Sequence, residues 1–288
     1  MKTGTPTAPG PVALVTGAIR GIGLAVARRL AGRGVRCCLT YYDWLDHLPA
    51  MHRAMEETGV EYRAAGVDLT TAQGARGAVE ACLEGLGRLD FLVLNVERGG
   101  WPVVHGPYTP EQWELEFRTT VTAKWLLFQE ALPHLKEAGG AAVNITSMAG
   151  EVGRCGPAGL VFNDCYSLAN RGLSLMTAQW ARMAAPQARV NELVLGLVET
   201  RHGPSTRGWG VLGPEEKQAL LDHTLLGRTG TVEEVARCVE FLLMEAGFVT
   251  GARLVMDGGY LLGGEAVPPM PHGVVEPGEP TVGGGKSV

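Results

Sequence analysis

The clearest chemistry near the start of the chain sits in one short segment. Thr16-Gly17-Ala18-Ile19-Arg20-Gly21-Ile22-Gly23 places three glycines in a T-G-x-x-x-G-x-G spacing. It follows an apolar run, Val12–Thr16, that reads as a strand. It opens a helical pattern, Gly21–Gly32, with Ile22, Ala25, Val26 and Leu30 on one face. Glycine lets the backbone approach a ligand closely, and the first turn of a helix offers unpaired N–H groups to anionic oxygens. Strand, glycine turn and helix in that order make a pyrophosphate-binding turn. Arg154, Arg201 and Arg207, in later glycine-rich stretches, either offer cations to a carboxylate or phosphate or stay solvated.

The elements that must hold this turn alternate. After the first strand and helix, Val35–Tyr41 reads as a second strand. A polar helix follows around Gly74–Gly87, and then an apolar strand, Phe91–Leu94. Ala141–Thr146 and Val190–Leu195 are two more strands, each after a long helical stretch, and Leu254–Met256 closes the series. Strands separated by helix-length segments pair in parallel through right-handed crossovers. The expected fold is α/β: a Rossmann-type doubly wound parallel sheet in a three-layer α/β/α arrangement. The expected boundaries are a flexible N-terminus over 1–10, a single domain over 11–262, and a Gly/Pro-rich tail over 263–288. Gly196–Gly213, rich in Gly, Pro, Arg and Ser, is expected to be a mobile loop over a site.

Bulk properties exclude several classes. The net charge is −5 and no basic block occurs, which argues against a nucleic-acid partner. No apolar run is long enough to span a membrane, and Met1–Pro11 lacks the apolar core of a secretory signal. The cysteines Cys37, Cys38, Cys82, Cys155, Cys165 and Cys238 form no C-x-x-C pair. Reduced thiols and a cytoplasmic location are expected. No metal site is expected.

The glycine spacing resembles that of the short-chain dehydrogenase/reductase family, and the resemblance runs in order along nearly the whole chain. Asp68-Leu69 is similar to the family's adenine-contacting pair after its third strand. Phe91-Leu92-Val93-Leu94-Asn95 stands where the N-N-A-G motif ends the fourth strand. Asn144-Ile145-Thr146-Ser147 resembles the strand carrying the catalytic serine, and Tyr166 is similar to the catalytic tyrosine. Arg189-Val190-Asn191, with Leu195-Gly196 through Thr200, resembles R-V-N…P-G-x-x-x-T. Gly227-Arg228-Thr229-Gly230 with Glu233–Ala236, then Thr250-Gly251 and Asp257-Gly258-Gly259, match the closing motifs.

The resemblance implies a cofactor site of Thr16, Gly17, Arg20, Gly21, Ile22, Gly23, Tyr41, Asp68, Leu69 and Asn95. The cofactor is NADP or NAD. Tyr41 holds the position where NAD enzymes of this kind carry an acid, although Asp43 lies two residues on. Arg20 is placed to pair with a 2′-phosphate, so the reading leans to NADP, with loss of binding left open.

The implied chemistry is hydride transfer between nicotinamide and an alcohol or ketone, with Ser147 and Tyr166 catalytic. Four departures follow from the same comparison. The family's lysine position is Asn170, and the neighbouring Arg171 points about 100° around the helix. The family's asparagine position is Thr120; Lys124 lies one turn on the same face, where it either reaches inward or, as the favoured expectation, faces the bundle or solvent. Glu97 replaces a glycine near the nicotinamide side, and the Ser147–Tyr166 spacing is long, with Cys155, Gly156, Pro157, Gly159 and Cys165 in the extra segment.

An unassisted tyrosine titrates near 10 and is a poor base but a ready acid at neutrality, so reduction is favoured. The first functional reading is an NAD(P)-dependent carbonyl/alcohol oxidoreductase with an altered active centre, in which Asn170 or Lys124 replaces lost contacts. The alternative is a non-catalytic subunit of a hetero-oligomeric dehydrogenase, one acting on an acyl-CoA intermediate among the options. Both imply a dimer or tetramer with similar subunits. The substrate pocket is expected from Glu97–His105, Gly150–Cys165 and Gly196–Gly213, with Trp101, Val103, Leu160, Phe162 and Trp209 making it apolar.

Overall fold

The structure is a computed structural model and describes residues 10–97, 108–200 and 207–270. Seven strands form one parallel sheet: β1 Val12–Val15, β2 Arg36–Tyr41, β3 Tyr62–Gly66, β4 Phe91–Leu94, β5 Ala141–Ser147, β6 Arg189–Leu195 and β7 Arg253–Met256. Their spatial order is β3-β2-β1-β4-β5-β6-β7. The order reverses between β1 and β4, so a crevice opens beyond the carboxyl ends of those strands. β1 and β5 are buried along their whole length, as expected of strands covered on both faces.

The helices are α1 Gly21–Ala31, α2 Leu48–Glu56, α3 Ala72–Leu86, α4 Pro110–Phe117, α5 Ala123–Ala138, α6 Ala149–Val152, α7 Asp164–Ala184, α8 Arg207–Gly210, α9 Pro214–Asp222 and α10 Val232–Glu240. One apolar layer joins Leu14 and Leu92 of the sheet to Val79, Leu127, Phe128, Leu173 and Trp180 of α3, α5 and α7. The Phe128 and Trp180 rings stack at 4.5 Å. The opposite layer joins Val15, Leu39 and Val143 to Val26, Leu30, Met51, Met55 and Val239 of α1, α2 and α10. The three-layer expectation therefore holds.

β3 is absent from the sequence-derived strands. Its residues, Tyr-Arg-Ala-Ala-Gly, are only partly covered because it is an edge strand, so the apolar run that marks the inner strands is missing. The expectation of a mobile loop over Gly196–Gly213 is corrected in its second half. There Trp209 and Leu212 are buried in a third apolar cluster with Phe162, Tyr166 and Tyr260. Residues 201–206 lie outside the described residues, as do 1–9, 98–107 (Trp101 and Val103 among them) and 271–288. Residues 263–270 carry no helix or strand.

Several of the collinear motifs are architectural. Arg189 donates to the Leu242, Ala246 and Leu243 carbonyls at 2.7–2.8 Å and so closes the turn after α10. Gly196 lies against the Asp257 backbone; a Cβ there would meet Asp257 Cα at 2.5 Å.

Candidate active site

The glycine turn is fixed by its neighbour strand. Thr16 Oγ1 donates to the Val93 carbonyl at 3.0 Å and accepts from the backbone N–H groups of Asn95 and Val96 at 2.8 and 3.0 Å. Asn95 Nδ2 returns bonds to the Thr16 and Gly17 carbonyls at 3.0 and 3.3 Å. Gly17 and Gly21 sit at φ +59° and +56°, a backbone region that favours glycine. A Cβ on Gly23 would lie 2.4 Å from the Gly17 oxygen. Arg20 caps α1 without a side-chain hydrogen bond, and the first turn has no acidic residue. The cradle thus fits a pyrophosphate, with backbone close and no side chain competing for the first-turn N–H groups.

Other predicted cofactor residues gather along the same edge. Asp68 Oδ1 accepts from Thr70 N and Oγ1 at 3.0 and 2.7 Å, which shapes the turn after β3, and Leu69 is buried. Tyr41 packs flat against Gly66. Arg20 lies over the Trp44 ring, 4.5 Å from its centroid. Trp44, which no motif in the sequence marks, carries a positive φ of 61°. Its only signal was an exposed aromatic just past β2, near Asp43, which is also exposed.

The second half of the site is built from side chains. Ser147 ends β5, and its backbone N–H donates to Asn170 Oδ1 at 2.9 Å. Asn170 Nδ2 donates to the Tyr166 carbonyl at 3.0 Å. Asn170 therefore holds the serine strand to the tyrosine helix and does not project as the family's lysine would. Asn163 caps α7 by accepting from Tyr166 N at 2.9 Å. The Tyr166 hydroxyl donates to Glu97 Oε2 at 2.9 Å. Thr120 is buried in a π-helical turn, Arg118–Thr122, between α4 and α5. It gives its hydroxyl to Glu116 Oε1 at 2.6 Å, and Tyr108 donates to Glu116 Oε2 at 3.0 Å.

Lys124 corrects an expectation. It is neither solvated nor merely bundle-facing; its side chain is 0% exposed and reaches inward beneath the site. Nζ donates to the Ile145 carbonyl at 2.6 Å and lies 4.0 Å from Glu97 Oε1. The one-turn offset from Thr120 sets it near the start of α5, which packs against β4, within reach of the β5 carbonyl of Ile145. Burial pushes its ammonium below the usual lysine range, and Glu97, Glu192 and Glu116 act in the opposite direction. Arg171 follows expectation: it is exposed and pairs with Glu151 at 2.8 Å.

The extra segment before Tyr166 folds as α6 and a short 3-10 turn, Gly156–Leu160. The Ala158 N–H donates to Tyr260 Oη at 2.7 Å, so this segment is tied to the turn after β7. Phe162 lies 5.8 Å from the Tyr166 ring. Phe162 and Trp209, expected to line the pocket, are 5% and 6% exposed and belong to its apolar backing.

This geometry agrees with comparisons across known proteins. The family model described as enoyl-(acyl carrier protein) reductase matches residues 17–261. A chain assigned as ketoacyl reductase 2 of the granaticin polyketide synthase of Streptomyces violaceoruber is 35% identical, covering 90% of this chain and 98% of that protein. Cyclopentanol dehydrogenase of Comamonas testosteroni is 33% identical, covering 86% of this chain and 96% of that protein. A blue fluorescent protein from a metagenomic library, solved in complex with NADPH, superposes with a TM-score of 0.76 at 30% identity, covering 87% of this chain and 98% of that one. The chain belongs to the short-chain dehydrogenase/reductase family, and its relatives are oxidoreductases.

Proposed function

We propose that the chain is an NAD(P)-dependent oxidoreductase that reduces the carbonyl of a small, largely apolar molecule. The observation that carries this is the Tyr166 hydroxyl, held as a hydrogen-bond donor to Glu97 on a helix that Asn170 ties to Ser147 at the end of β5. Ser147 is the last residue of β5, and β5 pairs with β4, whose end carries Asn95 of the glycine cradle. Reduced nicotinamide dinucleotide, when bound, supplies the hydride equivalent. Tyr166 gives its proton to the substrate oxygen, and the Ser147 hydroxyl hydrogen-bonds that same oxygen. Asn170 keeps the two elements in register through its paired backbone bonds. Proton donation of this kind contributes roughly 10²–10⁴-fold.

The apolar backing of Met148, Phe162, Trp209, Leu212 and Tyr260 supports an apolar substrate. Relatives named as ketoacyl reductase and cyclopentanol dehydrogenase make 3-ketoacyl thioesters and cyclic ketones the first substrates to try. Arg20, stacked on Trp44 at the end of β2, supports preference for a 2′-phosphate, hence NADPH. The working unit is the segment 11–262. Exposed apolar side chains on α4 and α5 (Trp113, Phe117, Trp125) and on α7 (Leu168, Leu175) support self-association. Light scattering on the purified chain reads that assembly directly.

Titration of the full chain with NADPH and NADH, followed by nicotinamide fluorescence, tests the proposal. Saturable binding with NADPH tighter is expected. Binding of neither would overturn the enzyme reading and leave the silent-subunit alternative.

A further inference from the structure

A fully buried lysine is costly unless something faces it, because desolvation penalises the charged amine by several kcal/mol. Lys124 sits under the candidate site with one hydrogen bond, to the Ile145 carbonyl, two residues before Ser147. Three carboxylates face it from different elements. Glu116 comes from α4 and accepts from Thr120 and Tyr108. Glu192 comes from β6 and accepts from Thr146, Ser174 and Arg253. Glu97 follows β4 and accepts from Tyr166. Glu97 is thus the carboxylate that stands between the lysine and the tyrosine, 4.0 Å from the first and 2.9 Å from the second. The positions where the family carries its lysine and asparagine are turned to structural work: Asn170 binds backbone and Thr120 binds Glu116.

We propose that Lys124, Glu97 and Tyr166 form one proton-relay unit, in which a lysine delivered by α5 recharges the tyrosine through the glutamate. This rests on the reductase reading for its catalytic use, but the relay itself is a property of the resting chain. The step balances as follows. Reduced nicotinamide dinucleotide gives a hydride to the carbonyl carbon and is oxidised. The Tyr166 O–H bond breaks as its proton goes to the carbonyl oxygen, giving the alcohol. The Lys124 ammonium gives a proton to Glu97 Oε1, and the carboxyl group turns over and hands that same proton to the phenolate, leaving Glu97 a carboxylate again. Solvent returns a proton to the amine by way of Glu97, whose side chain is 19% exposed where that of the lysine is 0%. A buried amine with a weakened hold on its proton suits that last donor role.

The chain carries lysine only at Lys2, Lys124, Lys136, Lys217 and Lys286, so carbon-13-labelled lysine gives few NMR signals. Lys124→Met assigns the buried one. In the wild-type chain without nucleotide, the Lys124 signal is expected to titrate below the ordinary lysine value of about 10.4. Glu97→Gln removes a facing negative charge and should move that midpoint lower still. A Lys124 signal that titrates with the other lysines and ignores Glu97→Gln overturns the relay.

The kinetic arm uses the ketone reduced by the wild type. Lys124→Met and Glu97→Gln should each lower kcat at least about tenfold with NADPH affinity unchanged. The alkaline limb of the kcat profile should follow the lysine midpoint and vanish in Lys124→Met. Unchanged kcat and an unchanged limb in both variants overturn the relay while leaving the reductase reading intact. A wild type that reduces no carbonyl while Lys124 and Glu97 titrate together overturns the reductase reading instead. Thermal melts check folding. If Lys124→Met does not fold, Glu97→Gln, at a side chain 19% exposed, decides both arms.

Discussion

The glycine turn and the tyrosine centre share one edge of the sheet but are made of different material. The turn is backbone: Gly17, Gly21 and Gly23 take positions where a side chain would strain the chain or strike it, and Thr16 and Asn95 bolt that backbone to β4. The tyrosine centre is side chain: Glu97, Lys124, Ser147, Tyr166 and Asn170 arrive from four different elements and their flanks. A backbone cradle tolerates little change, because close approach demands glycine at a fixed spacing. A charge or proton donor has more freedom. An amine entering from α5 comes within 4.0 Å of the carboxylate that holds the Tyr166 hydroxyl. Loss of the family's lysine position therefore does not mean loss of an amine at the site.

Substitutions in the two halves should have opposite effects on turnover and on binding. In the side-chain half, Ser147→Ala should lower kcat about 10²-fold, the usual effect of removing one hydrogen-bond donor from a reacting oxygen, while NADPH still binds. Steady-state kinetics with a fluorescence titration separate the two effects. In the backbone half, Gly23→Ala should do the reverse. Its Cβ would lie 2.4 Å from the Gly17 oxygen and 2.8 Å from Ala18 Cα. Binding should weaken more than tenfold, and stability should fall by about 1–3 kcal/mol, the range of small-to-large changes in packed sites; urea unfolding reads the second.

Arg20→Ala sharpens the picture at the far end of the cradle. It should weaken NADPH by about fivefold, near 1 kcal/mol for an exposed ion pair, and leave NADH unchanged.

The smallest expected effect lies away from the site. The Arg228 hydrogen bond first, and then the Thr231 N–H of the α10 cap, hold the Glu234 carboxyl down at about 2. Its folded value lies below its unfolded one, so its contribution is full above about pH 4.5 and is lost as pH falls towards 2. Because Arg228 is exposed, the loss should stay under about 1 kcal/mol. Urea unfolding of wild type and Glu234→Gln at pH 6 and pH 3 should show a difference that shrinks at the lower pH.

Legibility in the sequence follows the same division. The inner strands and α1 were readable because two-sided burial forces apolar runs, and the glycine spacing was readable because only glycine fits it. β3 was not, since an edge strand with Arg63 and paired alanines carries no such run. Ser147 and Tyr166 were legible by their order along the chain. The burial of Lys124 is not legible, although its spacing from Thr120 is, because a lone lysine on a helix is solvated far more often than buried. Its partner Glu97 lies far away in sequence, and the packing of α5 against β4 brings the pair together. Trp44 was passed over because its role depends on the turn after β2 placing it under Arg20.

Proton delivery by Tyr166 to a bound carbonyl is what the reductase reading requires. Its most direct test is NADPH oxidation in the presence of 3-ketoacyl thioesters and cyclic ketones, comparing wild type with Tyr166→Phe. The wild type should reduce at least one of them. Tyr166→Phe should bind NADPH as well and turn over at no more than about one hundredth of the rate. Equal turnover by the two, or none by a wild type that binds NADPH, would contradict the account.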